Sequence, residues 1–273
     1  DLALADTLNP SAPVDATAGV VNASNAGSYD LTVDLPDDHE AGTVAVTLSN
    51  GGTVTEEQYV ASEADGDSDP DEITFTGLDV SGLSDGTVTV DATLTDDGGN
   101  AATGGGLASP SKDTDLPGVA DATITNATIG TEDAGVEQTV TVDFDEDVDQ
   151  GVAPNVTVLG SNLNRTYDVT GSFDDARTWT GTVAIVDDNE AATATIRVAN
   201  ATDPAGNVQS PNESNTFQVD TRGPIAPVDT VAGNVTASTD TTYEATVDLV
   251  SGSNADEVEV RVDDGATTVS KRV

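Results

Sequence analysis

An all-β fold, built from antiparallel β-sandwich domains strung in tandem into a rod-like array, is predicted by three observations. A junction, Asp6-Thr7-Leu8-Asn9-Pro10, returns as Asp113-Thr114-Asp115-Leu116-Pro117 and as Asp220-Thr221-Arg222-Gly223-Pro224, each time after 107 residues. A second, unrelated signature keeps the same interval: Thr95-Asp96-Asp97-Gly98-Gly99-Asn100 and Thr202-Asp203-Pro204-Ala205-Gly206-Asn207. Between these marks run short stretches in which apolar and polar residues alternate, the period of a strand with one buried face. No segment carries a convincing helical stripe. A repeat of this length buries a core of its own, so the modules are beads rather than coils of a solenoid.

Residues 1–9 sit where the end of a module sits elsewhere in the period, and are expected to be the terminal strand of a preceding or partner domain plus a linker. The first full module spans 10–113. Tyr29, Leu31, Val33 and Leu35 alternate with Asp30, Thr32 and Asp34, and Val44, Val46 and Leu48 repeat the pattern. Further strands are expected over 72–76 and 87–95, the latter after a turn at Ser84-Asp85-Gly86, with Val88, Val90, Ala92 and Leu94 inward. The second module spans 114–223. Its inward candidates are Val140, Val142, Phe144, Val156, Val158, Tyr167, Val169, Trp179, Val183, Ala194, Ile196, Val198, Phe217 and Val219. About seven short strands separated by turns read as a β-sandwich of broadly Ig-like architecture, without the Cys and Trp pattern of antibody domains.

A third, incomplete module is expected over 224–273. Ala226-Pro227-Val228-Asp229 echoes Ala12-Pro13-Val14-Asp15, and Tyr243, Ala245, Val247 and Leu249 echo the first strand pattern. Half a sandwich exposes its core and an open edge. Either the natural protein continues, or subunits complete one another by strand donation. Asp1 is read as the start of a mature product or of an excerpt.

Composition narrows the function classes. Fifty acidic residues against eight Lys and Arg give a formal charge of −42, which repels nucleic acid and anionic membranes. At 36% hydrophobic residues in alternating runs, the chain is not a disordered polyanion. At molar salt the screening length falls to about 3 Å, so a folded, salt-adapted protein tolerates this charge. No apolar run approaches the roughly 20 residues that span a bilayer, so no membrane insertion is expected here, and the absence of cysteine leaves the redox compartment open. Sequons at Asn22, Asn126, Asn155, Asn164, Asn200, Asn212 and Asn234 point to the cell surface or beyond.

The run from Ile73 to Val90, with the late turn and Lys112-Asp113-Thr114, resembles the bacterial and archaeal Ig-like tandem repeats of large adhesins, biofilm filaments and surface-layer-associated proteins. The second module is similar through Val140-Thr141-Val142-Asp143-Phe144, Trp179-Thr180-Gly181-Thr182-Val183, Asp203-Pro204-Ala205-Gly206-Asn207 and Val219-Asp220-Thr221. The resemblance implies an extracellular, cell-surface, non-enzymatic filament whose partners are further copies or neighbouring Ig-like domains, head to tail, or surface glycans and surface-layer protein. It also implies calcium at the joints, on Asp96, Asn100 and Asp113 at one and on Asp203, Asn207 and Asp220 at the next. The family commonly has Thr-Ala-Pro after the junction Asp-Thr, which is absent here; in the linker only Asp115 offers a further ligand.

The residues themselves leave two readings of the late turn open. Calcium takes six to eight oxygens, and adjacent carboxylates and a carboxamide supply several. A plain hairpin turn, with Gly at positive φ and Asp bonding the backbone, explains the same residues. The acidic loop from Glu63 to Glu72 lacks the Gly and the bidentate Glu of an EF-hand and reads as solvated; Asp143, Asp145, Glu146, Asp147 and Asp149 read the same way. His39, the single histidine, is expected on a polar surface turn, and Trp179 in the core. Two other classes remain: the stalk of a viral fibre or glycan-binding adhesin, and an accessory region of a secreted hydrolase.

Overall fold

The computed structural model describes residues 9–37, 39–62 and 71–223, with the short stretches 229–231, 246–248, 259–263 and 268–272. The described residues form strands and turns, with no helix long and apolar enough to cross a membrane. The first module contains β1 (Asp15–Thr17), β2 (Tyr29–Asp34), β3 (Gly42–Ser49), β4 (Thr53–Val60), β5 (Glu72–Leu78), β6 (Gly86–Thr87), β7 (Thr89–Asp96), β8 (Ala101–Gly104) and β9 (Ser111–Lys112). They form antiparallel sheets in the orders β1-β2-β5 and β4-β3-β7-β8, with β6 paired to β9. Between the two larger sheets lies one core, in which Leu31, Val33 and Phe75 meet Val44, Val46, Leu48 and Leu94. Each such side chain stabilises the fold by roughly 1.5–3 kcal/mol through burial.

The second module contains β10 (Val119–Ile124), β11 (Thr128–Ile129), β12 (Glu137–Phe144), β13 (Asn155–Gly160), β14 (Tyr167–Asp168), β15 (Thr170–Phe173), β16 (Thr178–Ala184), β17 (Ala191–Ala199) and β18 (Asn212–Asp220). Its sheets run β10-β12-β16-β15 and β11-β18-β17-β13-β14 around a separate core. In both modules the chain leaves its first strand and crosses to the other sheet, running parallel to the last strand: Val21 bridges Lys112, and β11 pairs with β18. Trp179 fills the middle of the second core, and its ring lies over Gly181, where any Cβ would collide with it.

In the first two modules, the side chains expected to point inward are buried. The alternation does not announce strand β4, whose Glu56, Glu57 and Gln58 are polar; it is an edge strand held by the full ladder to β3, with only Val54 and Val60 packing against the core. The closing strand differs between the modules. β18 is continuous, whereas its counterpart is split into β8 and β9 around Gly105, Gly106 and Pro110, as expected where proline removes a ladder donor.

In the third segment, β19 (Asp229–Val231) pairs with β20 (Thr246–Asp248), and β21 (Glu259–Asp263) with β22 (Thr268–Arg272). Asp229 opposes Asp248 as Asp15 opposes Asp34, two periods apart, so the register of the first module recurs. Tyr243, Ala245 and Leu249, like most of 1–9, lie outside the described residues.

Candidate joint site

The two late turns share one internal geometry. In the first, Asp96 accepts from the Asn100 backbone N–H at 2.8 Å and from its Nδ2 at 2.9 Å. In the second, Asp203 accepts the same pair from Asn207 at 2.8 and 2.7 Å. Gly99 at φ 89° and Gly206 at φ 88° supply the left-handed residue that closes each hairpin. The Asn100 hydrogen bond, above all, holds the Asp96 carboxyl below the usual carboxylate range.

The carboxylate therefore orients the asparagine, and in the second turn the asparagine reaches across to the first module. Asn207 Oδ1 accepts the Ala23 N–H at 2.7 Å, and its Nδ2 also donates to the Asp113 carbonyl at 2.9 Å. Asn22 Nδ2 donates to the Ala205 carbonyl at 2.9 Å. Asp203 and Asn207 are both nearly fully buried. Three hydrogen bonds thus tie Asn22, Ala23 and Asp113 of the first module to the late turn of the second.

The expected trios are split. Asp96 and Asp113 belong to opposite ends of the first sandwich: β6 pairs with the strand before Asp113, and nine residues of extended chain, about 30 Å, separate it from Asp96. Asp203 and Asp220 likewise flank opposite ends of β17. Instead Asp113 meets Asp203 of the following module together with Glu146, their ligand oxygens all within 4.8 Å. Burial first, then the charges of Asp203, Asp85 and Asp115, push the Asp113 carboxyl up. Burial, then Asp113 and Asp203, push Glu146 up.

Glu146 is the member of this trio that sequence reasoning did not separate from its neighbours. Its companions are engaged: Asp145 accepts from Gly118 N–H, Asp147 pairs with Arg177, Asp149 accepts from Gly151 N–H, and Asp143 accepts from Thr178 Oγ1. Asp115 belongs to a second trio, with Asp85 and Asp113, but there Lys112 Nζ answers Asp85 at 2.7 Å and lowers its pKa. Asp220 is bound by Arg222 Nε at 3.0 Å and Nη2 at 3.1 Å, which lowers its pKa as well. Among the described residues, Asp113, Glu146 and Asp203 are therefore the trio in which no carboxylate makes an ion pair.

His39 is a correction: it is buried rather than on the surface, with Nε2 2.8 Å from Asp71 Oδ2. The acidic loop contributes that aspartate, while its residues 63–70 lie outside the described ones. Of the sequons, Asn155, Asn164, Asn200 and Asn212 are exposed, Asn22 and Asn126 are half-buried, and Asn234 lies outside the described residues.

No family model matches the chain, and no curated protein matches it. Among solved structures it is similar to one described for host cell surface retention of a 1.5-MDa bacterial ice-binding adhesin, at 22% identity over 81% of this chain and 70% of that chain, TM-score 0.42. It is also similar to a tetra-tandem repeat in the extending region of a large adhesion protein, at 18% identity over 95% and 62%, TM-score 0.34. A third is the fibronectin(III)-like modules of Clostridium thermocellum CbhA, at 12% identity over 78% and 93%, TM-score 0.28. Likenesses at these scores transfer neither ligand nor partner.

Proposed function

We propose that this chain is an extracellular structural protein, a salt-adapted tandem of Ig-like sandwiches docked end to end on a cell surface, and that the joint between its first two modules takes calcium on Asp113, Glu146 and Asp203. The observation that carries this reading is Asn207, fixed by Asp203 of its own module and bonded to Ala23 and Asp113 of the preceding one. Such a bridge restricts the angle between neighbours, which is the work of a stalk or filament. Three carboxylates offer up to six oxygens, within the number calcium takes, and the ion would supply the positive charge their mutual repulsion calls for.

Salt adaptation is supported by rows of like charge. Asp34 on β2 stands directly between Asp15 on β1 and Glu72 on β5, and Asp121 stands opposite Asp143. Such pairs destabilise a sheet in dilute buffer and are screened at high ionic strength.

Small-angle scattering and calorimetry on the intact chain, with calcium and with a chelator at constant high salt, test the reading. Calcium should stiffen the joint and raise melting; E146Q should abolish the calcium response, and N207A should loosen the joint even with calcium present. Scattering that is the same in all four samples would sink the proposal.

A further inference from the structure

Four of the sequons converge on one surface feature of the second module. A groove of about 350 Å³ on the five-stranded sheet is lined by Asn155, Thr157, Thr166, Arg197, Asn200 and Pro211, among others. Asn155 and Thr157 are both ends of one sequon, Thr166 is the hydroxyl residue of the Asn164 sequon, Asn200 opens a third, and Pro211 directly precedes Asn212 of a fourth. Strand pairing explains the convergence: Asn155 opposes Ala199, the residue before Asn200, and Asn212 opposes Val198. All four asparagines are exposed, and adjacent strands lie only about 5 Å apart.

The remaining described sequons are occupied otherwise. Asn22 Nδ2, the atom a sugar would take, donates to the Ala205 carbonyl inside the joint, while its Oδ1 accepts from Ser24 N–H and Oγ. Asn126 Nδ2 donates to Asp133 Oδ1 at 2.9 Å from a half-buried position.

We infer that the groove around Asn155, Asn164, Asn200 and Asn212 is the rim of an N-glycosylated face, and that Asn22 and Asn126 stay bare. In the transfer, C1 of an oligosaccharide leaves its lipid-phosphate carrier and bonds to Asn Nδ2. The C1–O bond to the carrier breaks, and the amide proton departs with the released lipid phosphate. A sugar on Asn22 would stand between Asn22 and Ala205, where the next module docks, so occupancy there and a closed joint exclude one another. Sugars on the sheet face leave every contact of the joint untouched. The glycans would screen the face that carries Arg197, leaving the module ends to make contacts.

Glycopeptide mass spectrometry of the protein recovered from the surface of its own cells decides the matter. Within residues 9–223, sugar should be confined to peptides containing Asn155, Asn164, Asn200 and Asn212, and a variant with all four changed to Gln should lose every glycan from that stretch, whereas N22Q should lose none. Sugar on Asn22 or Asn126, or bare peptides throughout 150–215, would overturn the inference. It uses the surface location proposed above but not the docking of modules or the calcium. A bare protein with a calcium-stiffened joint would leave that reading standing.

Discussion

The junctions Asp113-Thr114-Asp115 and Asp220-Thr221-Arg222 occupy the same place in the period and carry opposite electrostatics. Two residues beyond its aspartate the first places another acid and the second an arginine, whose guanidinium binds both oxygens of Asp220. Asp220 is held below the ordinary carboxylate range by that arginine, whereas Asp113 is pushed above it by burial and by its acidic neighbours. The modules also close differently next to these junctions. In the first, buried Lys112 pairs with Asp85; in the second, Glu190 and Thr221 exchange backbone and hydroxyl hydrogen bonds. The lesson is that the sandwich fold is indifferent to what neutralises its ends. On the reading proposed above, demand for an external cation belongs to the first joint and is set by a handful of side chains.

The largest test of that comparison asks whether the modules are separate bodies at all. W179A removes the largest side chain of the second core and should cost that module about 3–5 kcal/mol. Calorimetry should show its transition falling while the first module's stays in place; a joint shift of both would merge what the two cores keep apart.

A smaller effect is expected at the closing ion pair. K112M should destabilise the first module by about 2 kcal/mol, since it removes a hydrogen bond between charged groups whose carboxylate keeps partial access to water. The pair also predicts a pH slope. The Asp85 carboxyl is depressed in the folded state, so its contribution is complete above the ordinary carboxylate value and disappears as pH falls through the depressed one. Acid titration of the first module's melting should show that loss in the wild type and not in K112M.

The finest test transplants one junction into the other. D115R gives Asp113 the neighbour that Asp220 has, and in calcium-free buffer it should stabilise the joint by under about 1 kcal/mol, as an exposed pair does. In the wild type, Asp113 and Glu146 have raised folded values, so their cost is full above those values and is relieved as pH falls through them toward the ordinary range. Mild acidification should thus tighten the wild-type joint without calcium, and D115R should flatten that response, measured by scattering across pH.

Much of the fold was legible because alternation is local. Leu31 and Val33, or Ile196 and Val198, declare a buried face by their own neighbours, and two motifs in one register declare the period. Strand β4 was illegible for the complementary reason, since an edge strand that meets the core only through Val54 and Val60, with Glu56 and Gln58 between them, writes no apolar alternation. His39 misled because Asp37-Asp38-His39-Glu40 is polar along the chain, while the Asp71 that meets it comes from a distant loop.

The candidate site divides along the same line. Sequence alone marked Asp113, Asp203 and Asn207, because a recurring acidic turn and a recurring domain end are visible as repeats. Only the tertiary structure decided that Asp113 belongs with the turn of the following module, that Glu146 completes the trio, and that Asp220 is already answered by Arg222. A strand carries its two ends far apart, so residues close in the repeat are distant in space. What the end of the first module touches is the late turn of the second, whose Asn207 lies 94 residues beyond Asp113 along the chain.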